Sequence, residues 1–518
     1  MAIVSETTRG QTKPSKKISS LFWIIGLLVV AIYGFLAFNS GVKLSPITNS
    51  TADSAAVVTR IIQQADQQQT IVDADIDQVI PTWAKLSAAA GSEQFTYGSD
   101  SVADTLHHYH QMQSQQKQAL SIHMMLGSVL MICGILQFWP TFRKKFPKAH
   151  RMIGAVYIVA AFVSMSLSMY HLIHTGPDQT YGEFTFFFGL WMLAVGVMMS
   201  IVLASYHIKK REISQHMGWQ ALGFGFLLTA PVQRLNWIVL PYFFAPYTTF
   251  NEMNYLVNVC LLIETLLLSY LLLHINRNAL RANDKSAPLP LTSLQPSRIT
   301  STIITGVLAL SAVGCVAWYA IWPSFAQHSA AVHLFPATLI QADQAIYTNP
   351  LLSLLYVAAV LVILALLGLW HRQRALFVNK RGIYGMFAAC LVSIAVLWQW
   401  AFALGLPSHQ TSAGGTFFGM IGVLTLLFAV LAVWNYHRQQ YFLLNENLRF
   451  LLAVVIAPTL VYPAIYLINA VQLVPERFWL LGHAYQISVI AAILTPMLIA
   501  YLYTVYDAAP RHSATVHA

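Results

Sequence analysis

The sequence predicts an all-α integral membrane protein of about twelve transmembrane helices, arranged as a parallel 6+6 internal duplication with a small helical exported cap. Three observations carry this prediction. Hydrophobic residues make up 57% of the 518 positions and charged residues only 9%, a composition that excludes a water-soluble globule with a polar surface. Apolar runs of about 20 residues, long enough to cross a bilayer, recur along the chain. The two halves of the chain also resemble each other.

The apolar runs set the order of the predicted elements. We place them at residues 21–38, 119–139, 151–173, 183–206, 217–240, 251–274, 301–322, 350–369, 382–404, 415–436, 448–471 and 482–503. The first run follows RGQTKPSKK and lacks a small-residue cleavage site, so we interpret it as a retained signal anchor. The predicted domains are a basic cytoplasmic tail (1–20), transmembrane helix 1 (21–38), an exported segment (39–118), the other five helices of repeat 1 (119–276), a cytoplasmic linker (277–300) and repeat 2 (301–518).

The exported segment, residues 39–118, has amphipathic stretches such as AAVVTRIIQQ, which predict short helices that form a cap. Near its end, in LHHYH, His107 and His110 share a helix face and could bind zinc or copper, with a solvated surface cluster as the alternative. The later stretch SAPLPLTSLQPS is typical of a linker between two halves.

The Lys and Arg residues predict the orientation, because cytoplasmic loops retain positive charge. With a cytoplasmic N-terminus, 23 of the 29 Lys and Arg residues fall on cytoplasmic segments, so both termini are expected on the cytoplasmic side of a bacterial inner membrane. The net charge of +10 then reflects this bias and contact with anionic lipid; no basic and aromatic patch indicates nucleic acid. The exceptions are Lys43, Arg60, Lys85, Lys117 and Arg477 outside, and Arg234 within a helix.

The internal repeat appears at an offset of 230 or 231 residues. It pairs Trp139 with Trp370, Arg151 with Arg381, Gly189 with Gly419, Tyr206-His207 with Tyr436-His437 and Thr229 with Thr459. Because each copy contains an even number of helices, the two copies enter the membrane from the same side and are parallel. Repeat 2 lacks the polar groups His123, His150, His171, His216 and Arg234 of repeat 1.

Two of these histidines predict a heme site. His150 opens the third helix and His216 the fifth, so both imidazoles are expected at similar depth near the cytoplasmic surface. Two facing histidines suffice to hold a b-type heme without covalent attachment. Clearance for the porphyrin is expected from small residues nearby, namely Gly154, Ala155, Gly218, Gly223 and Gly225.

A second group of polar residues lies toward the exported side. His123 and His171 could form another bis-histidine site, and Arg234 could bind a heme propionate, a quinone oxygen or a carboxylate. Glu264 is expected to be either the counter-charge of Arg234 or a proton-relay group. Ionisable groups are costly in hydrocarbon, so their concentration in repeat 1 indicates a functional site, although a structural role remains the alternative for each.

The stretches SIHMMLGSVLMICGILQFWPTFRKKFPKAHRMIGAVY and SQHMGWQALG, with Arg234 downstream, resemble a bacterial family of predicted membrane proteins, domain of unknown function 2306. The resemblance covers about residues 119–240 and implies no activity. The same stretch is more loosely similar to the transmembrane ascorbate-reducing cytochrome b family, whose four core helices carry one histidine each. His123, His150 and His216 match three of these histidines, whereas YGEFTFFFGLWMLAVG has none.

Together these features predict a transmembrane electron-transfer protein that binds heme b between His150 and His216 and exchanges electrons with a quinone near Arg234. All four cysteines lie in predicted spans, which excludes a disulfide framework in the exported loops. One alternative is a secondary transporter of 6+6 architecture, although the loop after the second helix lacks the Gly- and Asp-containing carrier motif. The other alternative is a non-catalytic accessory or assembly subunit of a membrane complex.

Overall fold

The computed structural model describes an all-helical chain over residues 16–47, 51–91, 93–99, 101–180, 183–244, 250–281, 305–317, 335, 337–346, 349–372, 380–406 and 414–507. The first part contains α1 (Lys16–Leu44), α2 (Thr51–Asp66), α3 (Asp73–Val79), α4 (Thr82–Ala90), α5 (Glu93–Tyr97), α6 (Val102–Gln111), α7 (Ser114–Phe138), α8 (Pro140–Lys145), α9 (Pro147–Thr175), α10 (Glu183–Lys209), α11 (Ile213–Leu227), α12 (Thr229–Phe244) and α13 (Phe250–Arg281).

The second part contains α14 (Thr305–Ala317), α15 (Ala337–Ile346), α16 (Pro350–Arg372), α17 (Lys380–Leu404), α18 (Thr416–His437), α19 (Tyr441–Val455), α20 (Ala457–Ala470), α21 (Glu476–Trp479) and α22 (His483–Asp507). The predicted linker, residues 277–300, lies outside the described residues after residue 281.

The all-helical membrane class is confirmed. Among the described helices, nine are long and apolar enough to cross a membrane, or ten if α19 and α20 form one bent span. The two other predicted runs appear as shorter helices. The run at 217–240 is divided between α11 and α12, and the described part of the run at 301–322 is α14.

Adjacent spans pack against each other in similar order in the two halves. In the first half α7 packs on α1 and α9, α10 on α11, and α11 on α13; in the second half α17 packs on α16 and α18, α18 on α19, and α19 on α22. Contacts between the halves run mainly through α13 and α22. One apolar core, from Trp23 to Val505, extends through both halves.

Both halves also interrupt a helix at a comparable place. The helix pair α11 and α12 meets at Leu228, and the pair α19 and α20 meets at Ile456 with a bend of 54°. The turn before each pair holds a residue with positive φ, Arg211 at 63° and Gln439 at 56°. The two residues of each matched pair, one from each half, are 228 positions apart, two fewer than the offset of 230 that the sequence suggested.

Helices α2 to α6 form the cap, as the amphipathic pattern predicted. Their apolar faces share a core with the ends of α12 and α13, where Trp83 of the cap packs on Trp237 with ring centroids 5.2 Å apart. The Ser87 hydroxyl donates to the Trp237 carbonyl at 2.8 Å. The side of the protein that carries the cap is called the cap side below, and the other the linker side.

A buried ion pair joins the halves near the linker side. The Arg277 guanidinium on α13 donates to both carboxylate oxygens of Glu446 on α19, at 2.6 and 2.8 Å. The Tyr270 hydroxyl donates to the same carboxylate at 3.0 Å. The Arg277 and Glu446 side chains are 6% and 1% exposed, so the pair is fully enclosed. On the cap side, His483 contacts Glu183 across the halves.

Candidate functional site

A cavity of about 250 Å³ lies between the cap and the spans of the first half. Its described lining runs from Tyr33 to Phe250, with contributions from α1, the cap, α7 and α9 to α13, and none from the second half. The predicted site residues His123, His171 and Arg234 all line this cavity. The structure therefore brings together the three polar residues that the sequence placed toward the exported side.

His123 is held in one orientation by the neighbouring helix. Its Nδ1 lies 2.9 Å from the carbonyl oxygen of Ser164 on α9, and because a carbonyl only accepts, Nδ1 carries the proton. The Nε2 lone pair is then an acceptor or a metal ligand. Within the described part of the chain, Nε2 has no hydrogen-bond partner. Since α7 begins at Ser114, five residues before the predicted apolar run, His123 lies about 13 Å from the start of the helix.

His171 is oriented by a hydroxyl one turn later. The Thr175 Oγ1 donates its single proton to the His171 carbonyl at 2.9 Å and accepts from Gln116 Nε2 at 2.5 Å. The His171 Nδ1, 3.4 Å from the same oxygen, must therefore be the donor in that contact. His171 thus also presents its Nε2 lone pair. It lies seven residues, about 10 Å, beyond Ser164 on α9, so the two imidazoles occupy different depths of the cavity wall.

Arg234 projects into the cavity from α12. Its guanidinium stacks on the rings of Trp83 and Trp237, at 5.8 and 5.5 Å from their centroids, and donates to Gln233 Oε1 at 2.8 Å. No carboxylate pairs with it among the residues that the structure describes. Glu264 instead accepts a hydrogen bond from Asn236 Nδ2 at 2.9 Å, so the expectation that Glu264 neutralises Arg234 is not supported.

The cavity is electropositive because its described lining includes Lys43 and Arg234 but no Asp or Glu. His110, 3% exposed, also lines it. Burial, followed by the neighbouring Lys117, lowers the pKa of His110 to about 4, so this imidazole is neutral at pH 7. Lys117 is itself 1% exposed.

The remaining predicted pair, His150 and His216, lies on the linker side, away from this cavity. The His216 Nδ1 donates to the Ala204 carbonyl at 2.9 Å, which leaves Nε2 as its ligand atom. The His150 Nδ1 is buried and has no hydrogen-bond partner within the described residues. This donor chemistry is compatible with a heme ligand pair.

The clearance that a porphyrin needs is not found at the glycines expected to supply it. A Cβ on Gly154 would lie 3.2 Å from Gln137 Oε1, and one on Gly218 would lie 2.5 Å from Val505. A Cβ on Gly223 would approach Ser200 at 3.1 Å, and one on Gly225 would overlap Ser269. These glycines serve close helix packing, because a larger residue would separate the helices. The expectation that they make room for a heme is therefore wrong.

The histidines of LHHYH do not form a metal site in the described structure. The His107 Nε2 contacts Thr59 Oγ1 at 3.0 Å and the Gln111 amide at 3.1 Å, whereas His110 faces the cavity. Among the described residues, no group of three or more His, Cys, Asp or Glu side chains could hold a metal ion.

Several cavity residues carried no signal in the sequence. Thr229 and Gln233 line the cavity, and both the Thr229 hydroxyl and the Gln233 Nε2 are buried without a partner in the described structure. Trp83 belongs to the cap, 151 positions from Arg234, and only the folded chain brings them together. Helical spacing from Arg234 could have indicated Ala230, four residues earlier, but neither Gln233 nor the cap residues.

Residues 120–273 match the family model described as a predicted membrane protein, DUF2306. This match confirms the resemblance drawn from the histidine-containing motifs, and it contains His123, His150, His171, His216 and Arg234. Neither curated proteins nor solved structures gave a match. The similarity to the ascorbate-reducing cytochrome b family stays a prediction.

Proposed function

We propose that this protein is a transmembrane electron-transfer protein that binds its redox ligand in the cavity beneath the cap. The observation that carries the proposal is the convergence of His123, His171 and Arg234 on one cavity. A mostly apolar pocket with a few convergent polar groups is typical of a site for a small organic ligand. The Arg234 guanidinium can donate to a quinone oxygen, and the two unpaired imidazole nitrogens can accept from the hydroxyls of the reduced quinol.

The cytoplasmic heme between His150 and His216 stays part of the proposal as a prediction. The unpaired Nδ1 of His150 and the free Nε2 of His216 support it, whereas the occupied glycine clearance opposes it. Because the packing offers no porphyrin slot at these glycines, no step of the proposed function runs through a heme at this pair. A heme would supply one-electron transfer if bound.

We further propose twelve spans in two parallel six-helix repeats, with the cap side exported from a bacterial inner membrane and both termini cytoplasmic. The matching helix breaks at Leu228 and Ile456, together with the matching turns at Arg211 and Gln439, support the duplication. The distribution of Lys and Arg supports the orientation. The partners are the lipid bilayer and a redox partner.

The position of the cavity favours a ligand-binding module over a transporter. Carriers built from two repeats bind substrate at the interface between the repeats. Here the described lining of the cavity belongs to the first half alone, and the halves are joined near the linker side by the buried Arg277 and Glu446 pair. An accessory subunit without a redox ligand is the remaining alternative.

The test uses the full-length protein purified in a maltoside detergent. Absorption spectra with and without dithionite detect heme, and solvent extraction followed by electrochemical detection finds a redox-active lipid. We expect His123→Leu and His171→Leu to lose most of the bound ligand. The matched control is His174→Leu, because His174 lies on the same helix but is exposed and bonds only to its own helix.

The outcomes show whether a redox ligand is bound and at which of the two sites. Reduced α and β bands that disappear in His150→Ala or His216→Ala would support the predicted heme pair, whereas bands that disappear with His123→Leu would place the heme in the cavity. A folded protein with neither heme bands nor a redox-active extract refutes the electron-transfer proposal.

A further inference from the structure

The wall of the cavity formed by the start of α12 is a cluster of hydrogen-bond donors without acceptors. Gln233 is 3% exposed. Its Oε1 accepts a hydrogen bond from Arg234, whereas its Nε2 has no partner in the described structure. The Thr229 hydroxyl, on a residue that is 6% exposed, is also unpaired there. Unpaired buried donors are costly, so their presence side by side points to an acceptor that a ligand supplies.

The charge of this wall distinguishes between ligand heads. Arg234 has no carboxylate partner in the described structure, and no acidic side chain is found in the described lining. A neutral carbonyl oxygen would accept from the donors but would leave the guanidinium charge uncompensated. A carboxylate or phosphate both accepts several hydrogen bonds and neutralises the cation.

Much of the remaining lining is apolar. It includes Leu130, Met131, Ala194 and Val197, each at most 3% exposed and each in the interior of a spanning helix. A ligand whose head is held at α12 would therefore contact these residues with an apolar chain or ring.

We propose that the cavity binds an amphiphile whose anionic head, a carboxylate or a phosphate, docks on Thr229, Gln233 and Arg234. This inference uses the cavity of the proposed function and specifies the chemistry of its ligand. It differs from a neutral quinone as ligand in one respect, the required negative charge. The electron-transfer proposal and this inference can therefore fail separately.

The experiment measures ligand-induced thermal stabilisation of the full-length protein in a neutral detergent. A ligand that binds only the folded state raises the unfolding temperature in proportion to its occupancy. The probes share one dodecyl chain: a carboxylate, its methyl ester and a phosphate monoester, with a short-chain quinone as the fourth probe. We expect saturable stabilisation by the carboxylate or the phosphate, whichever head the site accepts, and at least tenfold weaker binding of the ester.

Two variants and a control test the residues. Arg234→Gln is expected to weaken binding of the anionic probe by about ten- to a hundredfold, the range for a lost hydrogen bond to a charged group. Gln233→Glu places a carboxylate beside Arg234, so it should keep or raise the stability of the ligand-free protein while abolishing binding of the anion. Arg477→Gln removes a cap-side charge paired with Asp178 on the surface and should bind normally.

Equal binding of the ester and the acid by the wild-type protein overturns the inference, even if Arg234→Gln fails to fold. So does tight anion binding by Gln233→Glu. If the short-chain quinone alone binds, the inference is wrong and the electron-transfer proposal stands. If an anionic probe binds but the protein carries no redox-active ligand, the inference stands and the electron-transfer proposal is wrong.

Discussion

The ion pair between Arg277 and Glu446 provides a sharp prediction about how the halves are held together. The substitution Glu446→Gln keeps the shape of the side chain but removes the charge that faces Arg277. The Arg277 guanidinium then has no counter-charge, and it remains buried, since its side chain is only 6% exposed. The hydrogen bond from Tyr270 is the other contact of this carboxylate that the variant weakens.

Removing one partner of a buried pair costs about 3 to 5 kcal/mol. If the whole 518-residue chain unfolds as one unit, an unfolding entropy of about 2.1 cal/mol/K per residue converts this cost to a decrease of about 3 to 5 °C in the unfolding temperature. The double variant Arg277→Met with Glu446→Leu removes both charges and should recover most of the loss, because replacing a whole buried pair by apolar residues is often neutral.

The assay is thermal unfolding of the purified protein, followed by tryptophan fluorescence, together with ligand retention in the cavity. The electron-transfer proposal predicts that stability falls while the cavity keeps its ligand, since the described lining contains no residue of the second half. A Glu446→Gln protein of unchanged stability would refute the assigned role of the pair. Changed ligand selectivity at unchanged stability would instead favour the transporter, whose halves move against each other.

Two other predictions concern the cap and the helix packing. The pKa of His110 is lowered to about 4, so the folded protein favours the neutral imidazole; the resulting stability, about 3 kcal/mol, is fully present above the ordinary pKa of about 6.5 and is lost as the pH falls to about 4. His110→Gln should therefore flatten the dependence of the unfolding temperature on pH, whereas substitution of the exposed His174 by Gln should not. An unchanged pH dependence in His110→Gln contradicts this role of His110. Gly225→Ala should destabilise the protein by about 1 to 3 kcal/mol, because its Cβ would overlap Ser269 and lie 2.9 Å from the Thr265 carbonyl. Gly189→Ala, which meets no atom within 4 Å, should be neutral or stabilising in the same unfolding assay, and equal losses at both glycines would refute the close approach of α11 and α13.

The class of the protein could be predicted from the sequence because hydropathy measures the main physical constraint on a membrane helix, its length in hydrocarbon. The cap was also predictable, since the amphipathic period of AAVVTRIIQQ identifies a helix with one buried face. The first residue of α7 was predicted less accurately. The polar residues Ser114 to Gln118 continue the helix beyond the apolar run, and two of them, Gln116 and Lys117, are buried.

The offset that aligns the two halves of the chain could not be predicted as accurately. Apolar sequences resemble each other at several offsets, so an offset of 230 could not be distinguished from 228. At the predicted offset of 230 Glu446 stands opposite His216, whereas the matched turns and breaks of the structure place Leu444 there. This shift changes the interpretation of Glu446. It is a residue that joins the halves through Arg277, and it is not the replacement of a lost histidine.

The site could be predicted only in part, because sequence gives the depth of a residue more readily than its direction. Depth grouped His123, His171 and Arg234, and the structure brings these residues to one cavity. The glycines near His216 had an equally suitable depth, but α11 turns three of them toward Ser200, Ser269 and Val505. The direction in which a residue of a buried helix points depends on the helices that pack around it, and these neighbours are not given by the sequence of α11 itself.

The loss of polar groups from the second half has a packing explanation. At the offset of 228 His171 corresponds to Gln399, and two residues later on α17 the Ala401 carbonyl lies so close to Gly415 that a Cβ there would overlap it. A helix pair packed this closely leaves no room for an imidazole or for a ligand between its ends. In the first half the cap covers this region, so the spans can part around a cavity while α12 remains shielded by Trp83. We therefore expect the cap and the histidines to act together, so that deletion of the cap removes ligand binding even where the spans stay folded.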